Sequence, residues 1–278
     1  MPYGSAPNAD DSAAHGIMSG WEIFGLTASA GAAGMINSVA GGGTLVTFPT
    51  LLAFGTSPVT ANATSTLALV IGTSGGMFGN RQYIRPIIPW LRRFLPVSII
   101  GGLIGSAGLT HTSNSLFGKL VPFLILFASL LFLAQGVFRR FASAPVDGKS
   151  AAKSVGVWWA VGFQFLVAIY GGYFGAGIGI LMLATLGFIG MRDIYEMNTL
   201  KTILGSLINV IAALWFIAAG LIDWPRAAVM TVGAVVGYYV GSRFTQRISP
   251  ARVRLLITLI GFVISGVTFY MEFVRPHH

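Results

Sequence analysis

TILGSLINVIAALWFIAAGLI, residues 202–222, carries no Asp, Glu, Lys or Arg, and it is one of several such runs of 17 to 23 residues. About 20 apolar residues cross a bilayer as a helix, which satisfies its own backbone hydrogen bonds where no water can. With 54% hydrophobic and 9% charged residues and a mean hydropathy of +0.77, the chain carries more apolar surface than a soluble core of this size could bury. The fold class that follows is an all-α polytopic membrane protein. Candidate spans are 21–40, 61–80, 94–111, 116–138, 155–174, 202–222, 225–242 and 253–271. Two further apolar pieces, 44–54 and 178–190, are too short to cross upright.

The halves resemble each other. A shift of 135 positions lays GGTLVTFPTLLAFG (42–55) on GIGILMLATLGFIG (177–190), matching Gly42 with Gly177, Gly55 with Gly190 and Thr64 with Thr199. A shift of 132 matches Gly101 with Gly233 and Gly105 with Gly237. The organisation expected is a disordered tail over 1–19, a first repeat over 20–138, a cytoplasmic linker over 139–154 and a second repeat over 155–272.

The net charge of +9 orients the chain and does not point to nucleic acid, because the basic residues lie between apolar runs. Arg81, Arg85, Arg92 and Arg93 crowd the loop after the second span of the first half. In the second half the corresponding loop, GLIDWPR, is nearly neutral, and Arg243, Arg247, Arg252 and Arg254 follow one span later. Equivalent loops of opposite charge belong on opposite sides, so the repeats are read as inverted, with both termini outside. That arrangement puts every basic residue except Lys119, Arg226 and Arg275 on the cytoplasmic side, including Arg139, Arg140, Lys149, Lys153, Arg192 and Lys201. Asp10, Asp11, Glu22, Asp223 and Glu272 then fall outside. Residues 21–54 and 155–190 either cross twice or enter and return, which leaves eight to ten membrane segments with glycine-broken or re-entrant helices. A multi-pass protein of the plasma (inner) membrane is the expectation.

Glycine runs at matching places in inverted repeats point to a transport site. Interrupted helix leaves backbone groups unpaired, which lipid does not tolerate and a wet cavity does. Free N–H groups at a helix start favour anions. Gly41, Gly42, Gly43 and Thr44 in one half suit that role, as do Gly175, Gly177 and Gly179 in the other. Nearby polar candidates are Asn37, Ser38, Asn62, Thr64, Ser65, Asn198, Thr199 and Lys201, with Thr66, Tyr173, Thr202, Ser206 and Asn209 beside them. Lysine inside an apolar run either reaches the interface or faces a cavity. Glycines spaced by four, Gly101/Gly105 and Gly233/Gly237/Gly241, are read instead as helix-packing positions. Gln164 is either a bridge between helices or a cavity residue.

No Asp or Glu falls in the middle of a span, which weighs against a cation exchanger. Enzyme chemistry finds no support: the histidines are His15, His111, His277 and His278, no metal-ligand spacing occurs, and there is no P-loop. No cofactor is expected. The chain has no Cys, which excludes disulfides. Partners expected are a small anion and the lipid bilayer, with proton coupling and a homodimer both left open.

Residues 34–69, GMINSVAGGGTLVTFPTLLAFGTSPVTANATSTLAL, resemble the signature of the TauE/SafE sulfite-exporter family. The pattern is a glycine cluster (Gly41, Gly42, Gly43), then Pro49, then Gly55, Pro58, Ala61, Ala63 and Thr64, with Ser65 following. The repeat arrangement carries the resemblance over about 20–272. It implies a prokaryotic-type plasma-membrane transporter of sulfur-containing anions such as sulfite, sulfoacetate and related organosulfonates, usually in export. It also implies that the two glycine motifs face each other across the permeation path. The second copy departs from the pattern: Ala184 replaces the proline, and DIYEMNT keeps only Thr199. A carrier of another small anion, such as a carboxylate, and a non-transporting membrane scaffold are the competing readings.

Overall fold

The computed structural model describes residues 18–39, 41–73, 84–142, 154–191, 193–244 and 249–274. Most of the expected tail and linker lies outside the described residues, as do Arg81, Lys149, Lys153, Arg192 and Arg247. Among the described residues the fold is entirely helical. In order come α1 (Gly20–Val39), α2 (Thr44–Ala53), α3 (Pro58–Thr73), α4 (Ile84–Thr110), α5 (Asn114–Ala142), α6 (Ser154–Tyr173), α7 (Ile178–Phe188), α8 (Ile194–Ala218), α9 (Trp224–Phe244) and α10 (Pro250–Phe269), which runs into a π-helical turn, Tyr270–Val274.

The helix starts follow local rules. Pro58 opens α3, where its missing N–H costs nothing and its fixed φ suits a first turn. Asp193 caps α8, its Oδ1 accepting from Tyr195 N at 2.7 Å and Glu196 N at 3.2 Å. Helix α4 starts earlier than its apolar run, 94–111, implies. Arg85, Arg92 and Arg93 belong to the first three turns of α4, not to a loop. Arg93 lies over the Trp90 ring at 5.4 Å, so the helix carries its charged turns on an aromatic anchor.

Among the described residues four helical stretches are each long and apolar enough to cross a membrane: Ile84–Thr110, Asn114–Gly136, Ile194–Ala218 and Ala251–Val274. Large apolar side chains cover much of the outer surface. Trp158 and Trp159 are each 74% exposed and Phe188 83%, and Leu133, Leu166, Val232 and Val263 are also exposed. Such a surface is stable only against lipid. The chain is a multi-pass membrane protein.

The two halves interlock. α9 packs on α1 and α3, and α4 packs on α6 and α8, while α5 pairs with α10. Glycine makes both of the close helix pairs. A Cβ at Gly237 would collide with the carbonyl of Gly31, and one at Gly34 with the backbone of Ala234. In the α4–α6 pair a Cβ at Gly105 would collide with Ile169, and one at Gly172 with Gly102. These contacts are backbone on backbone, the geometry that small residues permit between membrane helices. Polar bonds reinforce them: Gln164 Nε2 donates to the buried Ser98 Oγ at 3.0 Å, so Gln164 bridges α6 and α4. Arg226 of α9 pairs with Glu22 of α1 at 2.8 Å and donates to the carbonyl of Phe54, past the end of α2, at 3.1 Å.

Candidate anion site

Helices α2 and α7 are short, and both begin at a glycine turn. Gly42 (φ +96°) precedes α2 and Gly177 (φ +80°) precedes α7. Both lie in the left-handed region that residues with a Cβ enter at a cost. Different side chains hold the two turns. At the first, Asn37 Oδ1 accepts from Gly43 N at 2.8 Å. At the second, the Tyr170 hydroxyl donates to the carbonyl of Ala176 at 2.8 Å.

Both turns open on one cavity of about 440 Å³, within the range of small-molecule sites. Of the residues singled out in the sequence, Asn37, Ser38, Gly41, Gly42, Thr44, Gly175, Gly177, Asn198 and Lys201 line it. Thr66, Gly179, Thr202, Ser206 and Asn209 line it as well. Gly179 leaves room for the Lys201 stem: a Cβ there would lie 3.2 Å from Lys201 Cδ. No Asp or Glu lines the cavity, and Lys201 forms no ion pair among the described residues. The site therefore holds one ammonium, two helix starts and a set of amides and hydroxyls. That combination complements negative charge. Among the described residues no group of His, Cys, Asp and Glu could hold a metal ion.

The remaining candidates do not line the cavity. Gly43 is buried beneath it. Asn62 is buried and donates through Nδ2 to the carbonyl of Tyr173 at 3.1 Å, joining α3 to the end of α6. Thr64 Oγ1 accepts from Asp223 N at 3.0 Å. Ser65 Oγ lies 2.6 Å from Thr47 Oγ1, tying α3 to α2. Thr199 donates to the carbonyl of Tyr195 at 2.7 Å. Asn62, Thr64 and Ser65 thus tie separate parts of the chain together, while the Thr199 bond lies within α8.

Sequence reasoning missed the aromatic and α5 components. Phe132 and Gln135 of α5, Phe174 at the α6–α7 turn and Tyr238 of α9 all line the cavity. Phe174 stands edge-on to Phe48 at 5.6 Å and to Phe117 at 6.5 Å, a buried ring cluster that walls one end. One Phe among 20 has no pattern to distinguish it. Gln135, a polar residue within an apolar run, was the available signal.

The chain matches the family described as Sulfite exporter TauE/SafE over residues 26–268. It is 26% identical over 244 residues to the probable membrane transporter protein YfcA of Escherichia coli strain K12, covering 86% of each chain. A probable membrane transporter protein of Haemophilus influenzae is 24% identical over 242 residues, 86% of this chain and 91% of the relative. The probable membrane transporter protein ORF9 of a Sinorhizobium species is 23% identical over 240 residues, 84% of this chain and 87% of the relative. No solved structure matches the chain.

Proposed function

The chain belongs to the TauE/SafE sulfite exporter family of membrane transporters, and on that premise we propose that it exports a small sulfur-containing anion, such as sulfite or an organosulfonate, across the plasma membrane. The observation that carries this reading is that α2 and α7 begin at one cavity whose lone ammonium, Lys201, has no acidic partner among the described residues. The anion sits between the two helix starts, with Lys201 supplying charge and Asn37 Nδ2, Thr44 and Asn198 supplying directional bonds. The role is transport and not catalysis.

Transport proceeds by alternating access between two inverted repeats whose helices are broken at the glycine turns. Two features support inversion. Glu22, Phe54 and Arg226 meet, so the α1–α2 hairpin returns to the face where α9 begins. Trp215 Nε1 donates to Thr110 Oγ1 at 3.0 Å, so α4 ends at the level where α8 ends, opposite its own start. The bodies that move are not the sequence halves. Each half lends one helix to the other, so α1–α3 with α9 moves against α6–α8 with α4. Both termini lie outside.

Flux through purified protein in liposomes tests the reading, offering sulfite, thiosulfate, sulfoacetate, taurine and acetate with and without a pH gradient. Flux of a sulfur anion supports it, and a response to the gradient establishes proton coupling. Flux of acetate alone keeps the mechanism and replaces the substrate. Folded protein that carries none of them is a scaffold.

A further inference from the structure

Helix α5 supplies a wall of the cavity that neither glycine motif contains. Phe132 is buried, and its ring lies so close to Gly42 that a Cβ there would collide with it. The same ring reaches the other turn: a Cβ at Gly177 would lie 3.8 Å from Phe132 Cε2. One ring thus borders both helix starts and narrows the space between them. One helical turn further along α5, Gln135 faces the same cavity. Its Oε1 is buried and has no hydrogen-bond partner among the described residues. A buried carbonyl left without a donor is costly. The ammonium of Lys201 and the backbone N–H groups at the helix starts are donors that suit an anionic head. The Gln135 oxygen is an acceptor, so it calls for something an anionic head lacks.

We propose that Phe132 and Gln135 select the transported anion. The ring limits how wide a charged head fits between the two helix starts, and Gln135 Oε1 accepts a hydrogen bond from a donor group carried beside that head. The inference rests on the reading of the cavity as an anion site and names the class of anion it prefers. That class is a narrow oxyanion with its own hydroxyl, amine or acid proton within a few bonds. Selectivity of this kind is strong because an analogue lacking the donor leaves the buried acceptor unpaired. The 440 Å³ of the cavity leaves room for such a substituent beside the head.

Two sulfonates with the same head test it: ethanesulfonate, and 2-hydroxyethanesulfonate, which adds a single hydroxyl. KM for liposome flux and Kd by titration calorimetry are measured for both. The wild-type protein should favour the hydroxylated anion about tenfold, the order of one hydrogen bond in a buried site. Gln135→Leu should bring that ratio to about one. Phe132→Ala should raise the affinity for benzenesulfonate relative to ethanesulfonate by about fivefold or more. Phe132→Leu, a smaller change, serves if the alanine variant does not fold. Ratios within one variant are independent of how much protein inserts. A wild-type ratio of one, or a ratio that Gln135→Leu leaves unchanged, overturns the role of Gln135. A size profile untouched by either Phe132 variant overturns the role of the ring. Neither result touches the transport reading if flux persists. Absence of both flux and binding for every anion sinks that reading first and this inference with it.

Discussion

Lys201 lies across Gly179, its Cδ 3.2 Å from the position a Cβ would take. The first turn of α7 therefore serves as the bed for the one cation in the cavity. A bulkier residue at 179 would push the stem aside and move the ammonium, while the charge itself remained. Lys201→Met should lower the initial rate of anion flux by tenfold or more, and Gly179→Val by a smaller factor with KM raised more than kcat changes. Lys201→Arg keeps the charge on a longer, planar group and should fall between them. Wild-type flux from Lys201→Met would move the site away from this cavity.

The interlocking of the halves makes a second prediction. Glu22 and Arg226 come from opposite halves of the sequence, yet α1 and α9 belong to one packed body. The chain has no native Cys, so an introduced pair is the only reactive one. Glu22→Cys with Arg226→Cys, bridged by a short bifunctional reagent, should retain flux within about twofold of the unbridged protein. If the sequence halves themselves moved as bodies, the bridge would stop transport, and a cleavable reagent would restore it.

Helix positions were readable in the sequence because the apolar runs in lipid are long, and few other structures satisfy the backbone there. Among the described residues each of the ten apolar segments falls on a helix, including the short pair that became α2 and α7, while 74–80 of the run 61–80 lies outside the described residues. The matched glycines were readable too. Gly42 and Gly177, and likewise Gly55 and Gly190, share positive φ. Hydropathy did not place the start of α4, because Arg85, Arg92 and Arg93 look like loop residues until Trp90 is seen beneath Arg93. Nor could sequence sort hydroxyls that bind from hydroxyls that brace. Thr64 and Thr199 match across the repeat, yet both are buried and bonded to backbone groups, whereas Thr202 and Ser206 line the cavity. The exchange of α4 and α9 between halves depends on tertiary packing, which has no local signature.

Glycines of similar appearance should differ sharply when substituted. Gly237 and Gly105 sit where a neighbouring backbone leaves no space, while a Cβ at Gly162 would meet nothing within 4 Å. Backbone cannot yield as a side chain can. Gly237→Ala and Gly105→Ala should each separate a helix pair and cost about 1–3 kcal/mol, the range for overpacking. Gly162→Ala should be neutral or slightly stabilising through helix propensity. Thermal unfolding in detergent ranks them, and equal midpoints for all three would contradict the close approach of α1 to α9 and α4 to α6.

Arg226 carries three loads at once. It pairs with Glu22 at 2.8 Å and with Asp223 at 2.9 Å, and it donates to the Phe54 carbonyl at 3.1 Å. With side-chain exposures of 22% for Arg226, 15% for Glu22 and 20% for Asp223, the cluster is only partly screened by solvent. Removing the cation leaves two carboxylates facing each other with their partner gone. Fully buried pairs broken this way cost several kcal/mol and exposed ones almost nothing, so a value of about 1–2 kcal/mol is expected for Arg226→Met. Glu22→Gln, which keeps one pair and the carbonyl bond, should cost less than half of that. The order of the two midpoints is the test. A Glu22→Gln variant as destabilised as Arg226→Met would mean that the bonds to Asp223 and Phe54 add nothing to the pair between α1 and α9.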